Sequence, residues 1–167
     1  MTISLNLNGR ETNIEVSTSD TLLETLRSVN LQSVKCGCMK GQCGSCTVLF
    51  NGKAVPSCLV PSPLAHNATV ETLEGFVESE DYKDIMTGFE SAGIKLCGFC
   101  NAGKIFAAYE LMHKKNKSDK VDIMQVINSF QCPCTEPNQL ANGISFAIAN
   151  SHRRSSYKSH TEKRSYL

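Results

Sequence analysis

Tryptophan is absent from these 167 residues, and aromatics make up only 7% of them. The core must therefore come from aliphatic side chains, and a small core often leans on a metal or a partner for stability. No stretch has the apolar length needed to span a bilayer. The strand-like start Met1–Asn8 lacks the basic residues and continuous apolar run of a secretory peptide. No G-x-G-x-x-G and no P-loop occurs, so neither nucleotide nor flavin binding is expected on this chain. No Ser/His/Asp constellation and no paired carboxylates stand out. His66, His113, His152 and His160 are scattered, without ligand-spaced partners, which points to surface or capping roles. Internal repeats and low-complexity segments are missing as well.

Charge is nearly balanced at +1 but unevenly placed. From Ser151 onward, Arg153, Arg154, Lys158, Lys163 and Arg164 face Glu162 alone, so the rest of the chain is net acidic. This basic C-terminal tail, 151–167, has no interleaved aromatics for stacking on bases. A solvated terminus is expected there, with no nucleic-acid partner.

What the chain does have is cysteine, nine of them. With no leader visible, a reducing, cytoplasmic setting is expected, where so many cysteines argue for metal ligation over disulfides. Cys38, Cys43, Cys46 and Cys58 read C-x4-C-x2-C-x11-C, which contains the plant-type [2Fe–2S] run. Cys97, Cys100, Cys132 and Cys134 read C-x2-C-x31-C-x1-C. Four soft thiolates suit iron–sulfur clusters or zinc. Structural zinc usually pairs two short knuckles, whereas the first set is a compact loop with a distant fourth cysteine. Gly37, Gly41 and Gly44 let that loop curl so that backbone N–H groups point inward. The second set, with one knuckle and one C-x-C, leaves iron–sulfur and zinc both open. Neither set contains a histidine, which excludes a Rieske centre. Cys36 is left over; it would give C-x6-C in place of Cys38, and the plant-type run favours Cys38.

The element pattern predicts an α+β chain. Ile3, Leu5 and Leu7 alternate, Asn8-Gly9 signals a hairpin, and Ile14 and Val16 continue the period of two. Ser19 or Asp20 is expected to cap a helix over 21–29 with Leu22, Leu23 and Leu26 on one face. Strands are expected at Thr47–Phe50, Ala54–Val55 and Thr69–Leu73. After Gly75 the pattern turns helical. Tyr82, Ile85, Met86 and Phe89 form one face. Ile105, Phe106, Tyr109 and Met112 form another within 102–116, with Lys114, Lys115 and Lys117 suiting its C-terminal end. A third helix starts at Asp119 or Asp122 and ends near Phe130. A fourth runs from Pro137 to Asn150. Four such helices make a bundle.

The motifs Val34-Lys35-Cys36-Gly37-Cys38, Gly41-Gln42-Cys43-Gly44-Ser45-Cys46-Thr47-Val48, Ser57-Cys58, Cys97-Gly98-Phe99-Cys100 and Cys132-Pro133-Cys134-Thr135, in this order, resemble the iron–sulfur subunit of the molybdenum hydroxylases. This is the family of xanthine dehydrogenase and aldehyde oxidoreductase. The resemblance spans about Met1 to Asn150. It implies a plant-ferredoxin-like β-grasp domain, 1–75, with one [2Fe–2S] cluster on Cys38, Cys43, Cys46 and Cys58. It implies a four-helix-bundle domain, 76–150, with a second on Cys97, Cys100, Cys132 and Cys134. It further implies electron transfer between a large subunit carrying molybdopterin and a subunit carrying FAD, with no substrate bound here. Phe99, between two ligands, is expected to pack over the second cluster and shield it.

Several positions depart from the family pattern, among them Asn101-Ala102 where Thr-Pro is usual and Glu136-Pro137 where Gly-Tyr is usual. Leu96 stands where a pterin-contacting glutamine is usual, Pro133 replaces an arginine, and Glu136 brings a carboxylate near the second set. Leu96 and Pro133 keep open a free two-cluster ferredoxin, or a subunit of another oxidoreductase, as a second reading. A zinc-stabilised interaction module is a third.

Overall fold

The computed structural model describes residues 1–114, 118–128 and 134–164, with side chains to residue 157. Strands β1 (Thr2–Leu7) and β2 (Arg10–Glu15) pair antiparallel with Ile3 opposite Ile14. Asn8 and Gly9 join them with φ of 52° and 80°, the left-handed pair that matches strand twist in a two-residue hairpin. The alternation buries Ile3, Leu5 and Leu7 on one face. Helix α1 (Leu22–Ser28) lays Leu22, Leu23 and Leu26 against that face.

The cap of α1 is Thr21, not Ser19 or Asp20. Thr21 Oγ1 accepts from Glu24 N, and the Glu24 carboxylate accepts from Thr21 N at 2.7 Å. This reciprocal box satisfies two orphan donors at once. Asp20 instead accepts from Ser17 N.

Strands β3 (Thr47–Phe50), β4 (Lys53–Pro56) and β5 (Thr69–Glu71) complete a sheet in the order β2-β1-β5-β3-β4, with β1 and β5 parallel. The last strand stops short of the expected Leu73. Asn8 Oδ1 accepts from Thr72 N at 2.8 Å, drawing the chain off the ladder into a short helix, α2 (Leu73–Phe76).

The second half holds α3 (Glu80–Ser91), α4 (Asn101–Met112), α5 (Lys120–Asn128) and α6 (Pro137–Arg164). The expected end of α5 at Phe130 lies outside the described residues, as do Lys115 and Lys117. Lys114 pairs with Asp122 of α5 at 2.6 Å. Helices α3 and α6 meet backbone to backbone: a Cβ on Gly88 would stand 2.5 Å from Ala147 N. Helix α4 is buried on nearly every side rather than along one stripe.

The tail expected from Ser151 is helical, and His152, Arg153 and residues 155–157 are exposed, as a solvated segment should be. Helix α6 continues beyond Ser151 to Arg164, and Ser151 is buried. The reason is electrostatic: the acidic first half of α3 lies alongside, and Arg154 Nε binds Asp84 Oδ2 at 2.8 Å and also pairs with Asp81. His113 Nε2 reaches the same Asp81 at 2.7 Å.

Sheet and helices share packing. Leu49 of β3 belongs to the helical core, where Phe76 meets Phe106 and Tyr109 with ring centroids 5.1 and 5.3 Å apart. Glu110 of α4 accepts from Ala54 N on the edge strand β4 at 2.8 Å, which covers part of an exposed sheet edge. Among the described residues no helix is long and apolar enough to cross a membrane.

Candidate iron–sulfur centres

The first site grows from the loop between α1 and β3. Lys35 N donates to Ser45 O at 3.0 Å, and the buried Ser45 hydroxyl donates to Lys35 O at 3.0 Å, which closes the loop at its base. Inside it, Met39, Gly41 and Gly44 take φ of 55°, 70° and 71°. Such left-handed steps turn successive N–H groups inward into an anion-binding concavity. Cys38 Sγ receives Lys40 N, Gln42 N and Cys43 N at 3.4, 3.2 and 3.4 Å. Cys43 Sγ receives Cys38 N at 3.4 Å and lies 3.0 Å from Ser45 Oγ. The N–H groups of Lys40, Gln42 and Cys43 pull the Cys38 thiol down to about 6, so the thiolate that binds metal is favoured.

Cys46 immediately precedes β3, and Cys58 sits on a 3-10 turn after β4; both are buried. Ser57 ties them together, its hydroxyl donating to Cys46 O at 2.7 Å. Burial pushes the Cys58 thiol up to about 11, and its neighbour Cys46 adds to this, while Gly41 N works the other way. Coordination to a metal ion would reverse that preference, because a coordinating thiol is deprotonated outright. Cys43 thus neighbours Cys38 and Cys46 neighbours Cys58, and the Cys38 charge is also felt at Cys58. Paired thiols lined by inward N–H groups fit a binuclear cluster, in which each iron takes two thiolates, better than tetrahedral zinc. Cys36 is exposed and stands outside the ring of N–H groups.

The second site lies where two helices begin. Cys100 is the buried N-cap of α4, and Cys134 precedes α6. Gly98, at φ 89°, turns the loop so that its N–H meets Asn101 Oδ1 at 3.0 Å. The Phe99 N–H and then the Cys134 side chain lower the Cys97 thiol below its ordinary value, with Cys100 N–H and the Lys104 charge adding to the effect. Cys97 and Cys134 are therefore neighbours. Cys132 and Pro133 lie outside the described residues.

The flanking departures take local roles. Leu96 packs on the helical core. Glu136 is the cap of α6: its carboxylate accepts from Gln139 N at 2.8 Å and from Asn138 Nδ2 at 3.0 Å. The backbone N–H groups of Asn138 and Gln139 hold it below the ordinary carboxylate range. Phe99, expected over the second site, is 50% exposed. Its Cε1 lies 3.6 Å from where a Cβ on Gly37 would stand, so the two cysteine loops approach each other closely. Sequence reasoning passed over Lys104, one turn after Cys100, because a lysine beside an apolar stripe reads as solvated; it is 1% exposed. His66 accepts from Ser4 N and His113 joins Asp81, so neither histidine enters a cluster site.

Comparison with known proteins agrees with this arrangement. The family described as a 2Fe-2S iron-sulfur cluster binding domain matches residues 5–75, and that described as a [2Fe-2S] binding domain matches residues 72–145. The nicotinate dehydrogenase small FeS subunit of Eubacterium barkeri is 35% identical over 89% of this chain and 95% of its own length. The xanthine dehydrogenase iron-sulfur-binding subunit of Escherichia coli O157:H7 is 31% identical over 86% and 92%. A chain of quinoline 2-oxidoreductase from Pseudomonas putida 86 superposes with a TM-score of 0.82 at 31% identity, covering 92% of this chain and 96% of that one. With both cluster domains in the same order, and relatives matched almost end to end, this chain belongs to the electron-transferring iron–sulfur subunits of the molybdenum hydroxylase, or xanthine dehydrogenase, family.

Proposed function

We propose that the chain relays electrons between a large molybdopterin-bearing subunit and an FAD-bearing subunit in the cytoplasm, and that all eight paired-set cysteines are cluster ligands. Residues 1–75 carry the first cluster on Cys38, Cys43, Cys46 and Cys58. Residues 76–150 carry the second on Cys97, Cys100, Cys132 and Cys134. When bound, the clusters supply one-electron storage at two points of one chain.

The chain's own residues do the rest. Lys40, Gln42 and Cys43 aim N–H groups at Cys38 Sγ, and hydrogen bonds of this kind help set the potential. Burial of Cys46 and Cys58 keeps water from that side of the first site. The observation that carries the relay is the close approach of the two loops, where the Phe99 ring lies near Gly37. A path from one site to the other is then short, and the exposed Cys97 and Cys134 lie at the surface where a partner's cofactor would approach.

Two serine variants test the ligand set. Cys36→Ser should keep the full iron content and both low-temperature EPR signals, whereas Cys43→Ser should lose about half the iron and one signal. Loss of iron in Cys36→Ser would overturn the choice of Cys38. Purification at native expression level tests the relay, and a sample free of any molybdopterin-containing subunit would refute it.

A further inference from the structure

Lys104 is among the largest fully buried side chains of the molecule, at 1% exposure. Its Nζ donates to the buried Thr135 Oγ1 at 2.6 Å and, among the described residues, meets no carboxylate. A neutral hydroxyl does not compensate a buried ammonium, whose desolvation costs several kcal/mol in a protein interior (an order of magnitude only). The placement is unfavourable for a second reason. Lys104 lies in the first turn of the twelve-residue α4, where the helix dipole repels cations, and that turn contains no acidic residue. Two penalties at one position call for a strong negative charge close by.

The second cysteine set supplies it. Lys104 stands one turn beyond Cys100, its amide facing Cys100 O, and its ammonium is anchored on the residue that follows Cys134. Two ferric ions, two sulfides and four thiolates sum to a dianion. One electron, delivered by the catalytic subunit in the relay proposed above, makes it a trianion, with no bond made or broken and no proton taken up. A cation held in a dry site stabilises the trianion more than the dianion. We propose that Lys104 is the buried counter-cation of the second cluster and raises its reduction potential. This rests on the assignment of that cluster to Cys97, Cys100, Cys132 and Cys134.

The test is an EPR-monitored redox titration of the holoprotein in its complex, with signals assigned by the Cys43→Ser variant. In Lys104→Met the second midpoint should move negative. At the wild-type midpoint the reduced-to-oxidised ratio should fall about tenfold, equivalent to about 59 mV for one electron. The first midpoint should stay in place, and Lys104→Arg should keep the wild-type second midpoint. A second signal that is present but unmoved in Lys104→Met overturns the inference and leaves the relay standing. Equal movement of both midpoints overturns it as well. If Lys104→Met loses the second cluster while Lys104→Arg holds it at the wild-type midpoint, the charge is required and the inference stands. Loss in both variants marks the side chain as packing and overturns it. A wild-type protein that shows only one signal, with half the iron, refutes the ligand assignment itself.

Discussion

Gly37 has no room for a side chain. A Cβ there would lie 2.6 Å from Ser45 Oγ and 2.7 Å from Cys43 Sγ, closer than real Cβ contacts come. Both neighbours are held, Ser45 by Lys35 and Cys43 by the inward N–H of Cys38, so neither can give way cheaply. Gly37→Ala should therefore fold with its helical half intact but lose the first cluster's EPR signal and about half its iron. Full iron retention would show that the loop yields. Spacing alone separated Cys38 from Cys36 through a pattern. The N–H groups around Cys38 Sγ support the same choice, since donors that converge on a sulfur favour its thiolate. Thr21 taught the opposite lesson: Ser19, Asp20 and Thr21 are all competent caps, and which one acts depended on Glu24 reaching back to close the box.

Elements here are stopped and joined by side chains far apart in sequence. Glu74, at the start of α2, receives Ser33 N at 2.7 Å and Thr72 Oγ1 at 2.6 Å, and also the Ser33 hydroxyl. It thereby ties the approach to the first cysteine loop to the end of β5. Burial pushes the Glu74 carboxyl up, but the donors from Ser33 and Thr72 prevail and hold it below its ordinary 4.5. A carboxylate with a lowered folded value stabilises the fold above its unfolded value, and that stability is lost as pH falls through the folded value. Glu74→Gln should therefore lower the urea midpoint at neutral pH, and the gap to wild type should close as pH drops below 4.5. A gap of equal size at neutral and strongly acidic pH would contradict this. The strands, by contrast, were legible: Asn8-Gly9 and Asn51-Gly52 each place two left-handed residues in succession, which few other dipeptides do without strain.

At the scale of the whole molecule, the two halves are coupled through shared packing. Leu49 is a β3 residue by sequence and a helical-core residue by contact, beside Phe76 and Phe106. Leu49→Ala should cost about 2–5 kcal/mol, the range for deleting a buried leucine side chain. It should shift far-UV circular dichroism and the visible absorbance of the clusters together. Two separated transitions, with only one moved, would mean that sheet and bundle unfold independently. The same coupling lets Phe99 lie near Gly37, so the path between the sites depends on the packing that Leu49 and Glu110 secure.

Cysteine spacing, dipeptide turns and apolar periodicity settle their outcomes within a few residues of themselves, so the cluster loops, the sheet's strands and the four helices could be read before any fold was known. The burial of Lys104, the helical continuation of the basic segment against Asp81 and Asp84, and the close approach of the two cysteine loops depend on groups tens of residues apart. Only packing brings such groups within reach, because the charge or surface that decides each case belongs to another element.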